Sequence, residues 1–517
     1  MEALKTLLKT HGQEHLLNGY SALMPEERSQ LVANLQAIDY AHVNRAFKAS
    51  IAVAAAPTIP PEPIKNIVTL SDTSVEDIKH WRDTGLDMIA CGQLGILLLA
   101  GGQGTRLGSS QPKGCYSIGL PSRKSLFQLQ AERILRLEQL AAEHAFGSAT
   151  DIRNPIRWYI MTSGPTDAET RRHFAENAYF GLKQEQIFFF QQGVLPAMTE
   201  DGKVILQTAT HLALSPDGNG GVYPALAAGG VLTDMAAKGV KALDCYCVDN
   251  ALARVGDPVF AGMCVERGVE CGARVVAKCG PEEKVGVFAE RNGCLEVVEY
   301  SELDPAQAHA VDEDDKQSGR LKYNWANICM HYFDAAWLQR MADDLAASPK
   351  YHIARKRIPS KEGPVTGIKL ELFIFDAFPK AKTVALMEVS REDQFAPVKN
   401  APGSETDSPD TARAAIMKLH RRWVEAAGGR VQAPNGVEVA PLVSYAGEGL
   451  ETICQGKTFK EMFDVHLMGF LCPPLSSPGG TTMHYSSPRP VPGTTKWGGR
   501  KKGFKIEVNA ATITPKS

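Results

Sequence analysis

Residues 94–114 read LGILLLAGGQGTRLGSSQPKG, an apolar run followed by glycines at 101, 102, 104, 108 and 114 and two cations, Arg106 and Lys113. Glycine lets backbone N–H groups approach phosphate oxygens closely and tolerates positive φ. Pro112 restricts the approach of Lys113 by fixing φ. Two common phosphate-binding patterns fail on counting. GxGxxG starting at Gly102 needs a glycine at 107, where Leu107 stands, and GxxxxGK[ST] needs a glycine before the lysine and a hydroxyl after it. Lys113 lies between Pro112 and Gly114. What remains is a loop offering two cations beside backbone donors, as a polyphosphate needs when negative charge grows on a departing group.

Other strand ends carry chemistry too. Gln191 and Gln192 follow an aromatic run, and an amide can read the donor–acceptor edge of a base. ALDCYCVDN (242–250) ends in Asp249 and Asn250. A carboxylate beside a polyphosphate suits Mg²⁺, a hard cation that prefers oxygen and keeps several waters; a loop aspartate capping the next turn is the plainer alternative. SPDGNGG (215–221) reads as a tight turn, which is compatible with a binding loop. Phe373 and Phe375 read as core, and Lys369 and Lys399 as solvated lysines. No Ser-His-Asp or Cys-His arrangement is visible.

The elements that must position these groups follow from periodicity. Residues 1 to about 50 read as helix, 54–63 as a Pro-rich break, and 74–90 as a second helix capped near Ser71 and Asp72. From residue 94 strands alternate with helices: strand 94–100, helix 125–145, strand 156–163, helix 165–178, strand 186–192, helix 223–238, strand 242–250. Further strands are expected at 273–279, 285–290, 294–300 and 383–389. This alternation predicts an α/β fold with a central, mostly parallel, doubly wound sheet. A helical N-terminal region (1–92), a central domain (93–400) and a small α+β C-terminal domain (401–517) are expected, with an irregular tail after about 470.

Composition narrows the function classes. The 517 residues are 44% hydrophobic and 22% charged, with a formal net charge of −2 and no long basic block, which argues against nucleic acid as the main partner. No apolar run approaches the length of a membrane span, and the N-terminus is interrupted by charges, unlike a signal peptide. Eleven scattered cysteines without a CxxC pair read as small buried hydrophobes in a reducing compartment. Cys245 and Cys247, two apart on a strand, share a face. A cytoplasmic protein, monomeric or weakly homo-oligomeric, is expected.

LLLAGGQGTRLGSSQPKG with GLPSRKSLFQLQAERI resembles the signature of the eukaryotic-type UDP-N-acetylglucosamine pyrophosphorylases. The resemblance extends through MTSGPT, FFQQGVLPAM, SPDGNGGVY, CYCVDN, VVEYSE, REDQFAPVKN and SYAGEGLE, covering roughly residues 90–400 and again 439–451. It implies a Rossmann-like fold of the nucleotidyltransferase and glycosyltransferase-A kind. It also implies Mg²⁺-dependent attack by N-acetylglucosamine 1-phosphate on the α-phosphorus of UTP, giving UDP-N-acetylglucosamine and pyrophosphate. The nucleophile is already an anion, so neither a general base nor a covalent intermediate is required. Arg106 and Lys113 are then expected on the departing phosphates and Lys399 on the incoming one. On the nucleotide the resemblance places Leu99, Ala100, Gly101, Gly102, Lys113, Gln192 (uracil), Gly218, Asp249 (beside the α-phosphate, with the metal) and Lys369. On the sugar it places Asn219, Gly286, Glu299, Tyr300, Asn327, Phe373, Phe375 (the N-acetyl pocket) and Lys399. One departure stands out: Asn324-Trp325-Ala326-Asn327 replaces the usual Asn-Ala-Gly-Asn. An alanine there is expected to narrow the pocket or forbid a positive φ. Another sugar 1-phosphate (N-acetylgalactosamine or glucose) and a non-catalytic nucleotide-sugar binder remain the alternatives.

Overall fold

The computed structural model describes residues 1–54, 59–312, 319–347 and 349–460; the irregular tail expected after about 470 lies outside them. In chain order the principal elements are α1 (Glu2–Thr10), α2 (Pro25–Gln36), α3 (Tyr40–Ala54), α4 (Val75–Ala90), β1 (Leu94–Leu99), α5 (Leu126–Phe146), β2 (Trp158–Thr162) and α6 (Gly164–Glu176). Then come β3 (Ile187–Gln191), α7 (Val222–Ala228), α8 (Val231–Lys238), β4 (Ala242–Cys247), α9 (Pro258–Glu266), β5 (Cys271–Ala277), β6 (Val287–Arg291) and β7 (Cys294–Val298). The last are β8 (Trp325–Asp334), α10 (Ala335–Ala347), β9 (His352–Ile358), β10 (Val365–Glu371), β11 (Val384–Glu388) and α11 (Pro409–Ala426).

β1 is buried along its whole length because its side chains alternate between two cores. Ile96 and Leu98 face one with Trp158, Ile160 and Tyr246, under α4, α5 and α9. Leu97 and Leu99 face the other with Tyr159, Met161 and Leu243, under α7, α8 and α10. Each such leucine or isoleucine stabilises the sheet by about 2 kcal/mol. The strand order is β11-β5-β8-β4-β1-β2-β3, with the short strand Val68–Thr69 beside β11. β1 is parallel to both β2 and β4, β2 to β3, and β11 to β5. β8 runs antiparallel between β4 and β5, and the β6–β7 hairpin joins it where Val287 meets Ala326. The doubly wound sheet is therefore as expected, with one long reversed strand at its heart.

Three local expectations are corrected. The helix expected over 223–238 is two helices, because Gly230 takes φ +76° and Gly229 passes so close to β3 that a Cβ would lie 2.9 Å from Phe190. α4 is capped by Ser74, whose Oγ accepts the Asp77 N–H at 3.0 Å, while Leu70–Asp72 forms its own short 3-10 turn. Of the described cysteines, none of which is in a disulfide, Cys91, Cys279 and Cys294 are exposed rather than buried. Cys245 and Cys247 do share a face.

The N-terminal helices share a core with Leu195, Met198, Leu206, Tyr351 and Ile368, so α1–α3 sit against the β9–β10 hairpin. No helix among the described residues is long and apolar enough to cross a membrane.

Candidate functional site

β1, β2, β3 and β4 all end on one edge of the sheet, and β1, with β2 on one side and β4 on the other, marks the topological switch where α/β sheets collect ligands. The loop after β1 is folded on itself. The Ala100 N–H continues the ladder to the Met161 carbonyl (2.8 Å), Gly104 N–H donates to Gln111 O (3.0 Å), and Lys113 N–H donates to Gly102 O (3.2 Å). Lys113 is thereby carried to the end of β4, its Nζ 3.6 Å from Asp249 Oδ2 with both side chains mostly buried. Gly101 is glycine because Gln192 lies over it: a Cβ there would sit 2.2 Å from Gln192 Oε1. Ser163 at the end of β2 fixes the same glycine, donating its Oγ–H to Gly101 O at 2.8 Å.

The 215–221 stretch is both turn and docking loop. Gly218 takes φ +92°, and a Cβ there would lie 2.3 Å from the Leu372 carbonyl. Gly220 N–H donates to that carbonyl at 2.9 Å, and Asn219 Oδ1 accepts the Ile374 N–H at 3.0 Å. Asp217, 7% exposed, lies between Gly193 and Gly221, its Oδ1 without a partner. Burial raises its carboxyl to about 6.

A second group of residues faces this one from the other half of the sheet. Asn327 N–H donates to Gly286 O at 2.8 Å, and a Cβ on Gly286 would lie 3.0 Å from Glu299 Oε1. Burial raises the Glu299 carboxyl, as does Glu302, against the lowering by His352 and Lys399. Phe373 stacks on Phe375 with centroids 5.0 Å apart, and His352 covers Phe373 at 4.4 Å. Phe375 is also part of the core, as expected for paired aromatics. Asp376 organises this wall: its oxygens meet His352 Nε2 at 2.8 and 2.9 Å, and Oδ2 accepts the Phe373 N–H at 3.1 Å.

The two groups meet at Asp249. Val398 N–H donates to the Asp249 backbone carbonyl at 2.9 Å, bringing the chain just before Lys399 against Asp249, and Lys399 N–H donates to Asp407 O at 2.7 Å. The Lys399 charge acts on Glu299 and on Cys247. Buried Asn250 holds this crossing: Nδ2 donates to Gln394 O (2.7 Å) and Oδ1 accepts the Ala396 N–H (3.0 Å). Beneath it Arg274 donates to Gln394 Oε1 at 3.1 Å and pairs with Asp244 at 2.7 Å.

Three expected site residues stand apart among the described residues. Arg106 is exposed in the turn Thr105–Leu107, Tyr300 is 47% exposed, and half-buried Lys369 lies opposite Ala354 in the β9–β10 hairpin. None of these side chains has a hydrogen bond or ion pair to another candidate. The concern over Ala326 is corrected. It has no positive φ, pairs with Val276 and Val287 within the sheet, and its fully buried methyl joins the core on the α4–α5–α9 side. The irregularity lies further on, in a bulge after Asn327 where Cys329 takes φ +54° and donates its N–H to Asn327 Oδ1.

Asp217, His352 and Asp376 are the residues that sequence reading missed. Asp376 had a signal in the Phe373-x-x-Asp376 spacing, in which the carboxylate caps the start of a helical turn. No three His, Cys, Asp or Glu side chains among the described residues converge as a metal cage. A single carboxylate, Asp249, beside Lys113 of the glycine loop fits the donor set that Mg²⁺ uses when phosphates and water complete its shell.

A switch-point loop of glycine amides and cations, faced by a carboxylate, amides and an aromatic wall, defines an α/β protein built to hold a phosphorylated ligand across two half-sites. Comparison with known sequences makes this specific. The chain belongs to the UTP–glucose-1-phosphate uridylyltransferase family, which it matches over residues 42–453, further toward both ends than the motifs above reach. It is 48% identical over 476 residues to UDP-N-acetylglucosamine diphosphorylase 1 of Arabidopsis thaliana, covering 90% of this chain and 93% of that protein. It is 40% identical to the UDP-N-acetylglucosamine pyrophosphorylase of Saccharomyces cerevisiae, with coverages of 89% and 98%. Among solved structures, the uridine diphosphate N-acetylglucosamine pyrophosphorylase of Trypanosoma brucei superimposes with a TM-score of 0.77 at 33% identity, over 90% of this chain and 95% of that one.

Proposed function

We propose that this chain transfers the uridylyl group of UTP to N-acetylglucosamine 1-phosphate, forming UDP-N-acetylglucosamine and pyrophosphate. The convergence on Asp249 carries the reading: Lys113 reaches it from the glycine loop and Val398–Lys399 from the sugar half. A phosphate oxygen of the sugar phosphate attacks the α-phosphorus, the bond from that phosphorus to the bridging oxygen of pyrophosphate breaks, and pyrophosphate leaves in line. The nucleophile carries its own charge, so the chain's task is positioning and charge neutralisation. Lys113 and Arg106 take the departing phosphates and Lys399 the incoming one, while Lys369 faces the nucleotide phosphates. Asp249 holds Mg²⁺, which when bound neutralises phosphate charge. Gln192 and the Gly218 backbone read uracil; Leu99 to Gly102 bring backbone to the nucleotide. Asn219, Gly286, Glu299, Tyr300 and Asn327 hold the sugar, and Phe373 with Phe375 walls its N-acetyl group.

Free exposed thiols at Cys91, Cys279 and Cys294 support a reducing, cytoplasmic setting. The test is pyrophosphate release from UTP and Mg²⁺ with a panel of sugar 1-phosphates. Release fastest with N-acetylglucosamine 1-phosphate is expected. A preference for the galacto or gluco substrate replaces the sugar assignment, and release with none of them overturns the transferase reading.

A further inference from the structure

Away from the catalytic edge, a cavity of about 930 Å³ opens between the segment 119–123, α11 and the turn 434–436. Its lining carries Arg123, Arg413, Lys418 and Arg421 against a single acid, Asp410. The chain as a whole has a net charge of −2, so this is a local concentration of positive charge. The volume falls in the range of small-molecule sites. Leu120, Pro121, Met417 and Pro434 supply an apolar wall, which a bare inorganic ion would not use.

The cations keep donors to spare. A guanidinium has five N–H donors. Arg413 donates one to the Ile118 carbonyl (3.1 Å) and one to Asp410 (2.7 Å). Arg421 donates to the Ala433 carbonyl. The exposed Arg123 side chain has no hydrogen bond or ion pair among the described residues, and Lys418 reaches away to Glu392. The walls are preformed: buried Glu438 accepts both the Ser122 N–H (2.8 Å) and its Oγ–H (2.6 Å), pinning the 119–123 segment to the 434–438 turn.

Both principal walls continue into the catalytic site. The 119–123 segment follows Lys113 by a few residues and leads to Ser125, the cap of α5. α11 is capped by Ser408, next to Asp407, whose carbonyl accepts the N–H groups of Lys399 and Asn400. We propose that this cavity is an effector site for an organic phosphate, held by Arg123, Arg413 and Arg421, which fastens the segment after Lys113 to the helix after Lys399. Arginine suits the role because its planar fork meets phosphate oxygens in pairs. The ligand fastens the two segments that deliver the lysines of the two half-sites, so its occupancy changes turnover without touching either substrate. This goes beyond the proposed reaction, and its binding test does not depend on that reaction.

The experiment is calorimetry on the full-length protein, with glucose 6-phosphate and ATP as probes and UDP-N-acetylglucosamine present to occupy the catalytic site. It is repeated on the double variant Arg123→Glu/Arg421→Glu, and pyrophosphate release is followed with and without each probe. Saturable binding of at least one probe is expected, weakened about tenfold or more in the variant. That probe should change the wild-type rate at least about twofold, leaving the variant's basal rate unaltered. Absence of binding by both probes, equal binding by the variant, or binding without any change in rate each overturns the proposal. Failure of the transferase reading would show separately, as no turnover without a probe.

Discussion

The proposed nucleotide half and the proposed sugar half of the site are built by different means. The first comes mainly from loops that follow the parallel strands, Gly101 to Gly114 after β1, Gln192 after β3 and Asp249 after β4, with Gly218 in the loop before α7, all between residues 94 and 250. Glycines dominate it, and the positions of Gly101 and Gly218 leave no room for a Cβ. The second is assembled from β6, β7, the start of β8, the turn after β10 and the segment before Lys399, spread over more than a hundred residues. Side chains dominate there, and one carboxylate, Asp376, holds both His352 and Phe373. Backbone cradles suit phosphate, which every substrate of this chemistry shares; side-chain walls suit the sugar, where discrimination is needed.

Charge removal at the nucleotide half should break this contrast most sharply. Lys113→Ala and Arg106→Ala are expected to lower kcat about 10²–10³-fold, roughly 2.7–4 kcal/mol, with little change in KM for the sugar phosphate. Steady-state kinetics decide it, and an Arg106 variant with normal turnover would leave that exposed side chain outside the reaction. Next come two substitutions with opposite signatures. Gly101→Ala drives a Cβ into Gln192 and should raise the KM for UTP about tenfold, roughly 1.4 kcal/mol. Asp376→Ala frees His352 and Phe373 and should raise the KM for N-acetylglucosamine 1-phosphate while narrowing the preference over glucose 1-phosphate. If both variants disturb both substrates alike, the two halves are not separate.

A smaller effect concerns Asp217, whose carboxyl is raised by burial from 3.8 to about 6. Between those values the folded chain holds the proton more tightly than the unfolded one, so stability falls as pH rises through this window. Below it Asp217→Asn should melt like the wild type. Above about pH 6 the variant escapes the cost of a buried charge, so its Tm advantage should grow from pH 4 to 7 and then level off. A difference independent of pH would mean the carboxyl does not ionise there. Smallest of all, Ala326→Gly should cost about 0.5–1 kcal/mol of stability and leave the sugar KM unchanged. A changed KM would return Ala326 to the pocket.

Legibility in the sequence follows the same division. The glycine loop could be read because its meaning lies in local spacing: Gly102, Gly104, Arg106 and Lys113 exclude two motifs by counting alone. β1 to β4 were legible as short apolar runs between helices. β8 was not, because Asn327, His331 and Asp334 interrupt its apolar run, although His331 sits fully buried within it. Without β8 and the β9–β10 hairpin, nothing in the sequence brings Asn327 beside Gly286 or His352 over Phe373. Resemblance supplied Asn327 and Lys399, but not His352, Asp376 or the bulge at Cys329, which arise from tertiary contact. The expectation for Ala326 came from residue type alone, because no strand is read from the sequence at 325–334.

The reversed strand also sets an order of assembly. β4 pairs with β1 on one side and with β8 on the other, so the second edge of β4, complete by Cys247, waits for a strand that begins only at Trp325. On the ribosome that apolar edge is an unpaired row of N–H and C=O groups beside a finished nucleotide half, the kind of surface that recruits other strands. Until β8 slots in, the growing chain is most vulnerable to mispairing at its own centre, not at its periphery.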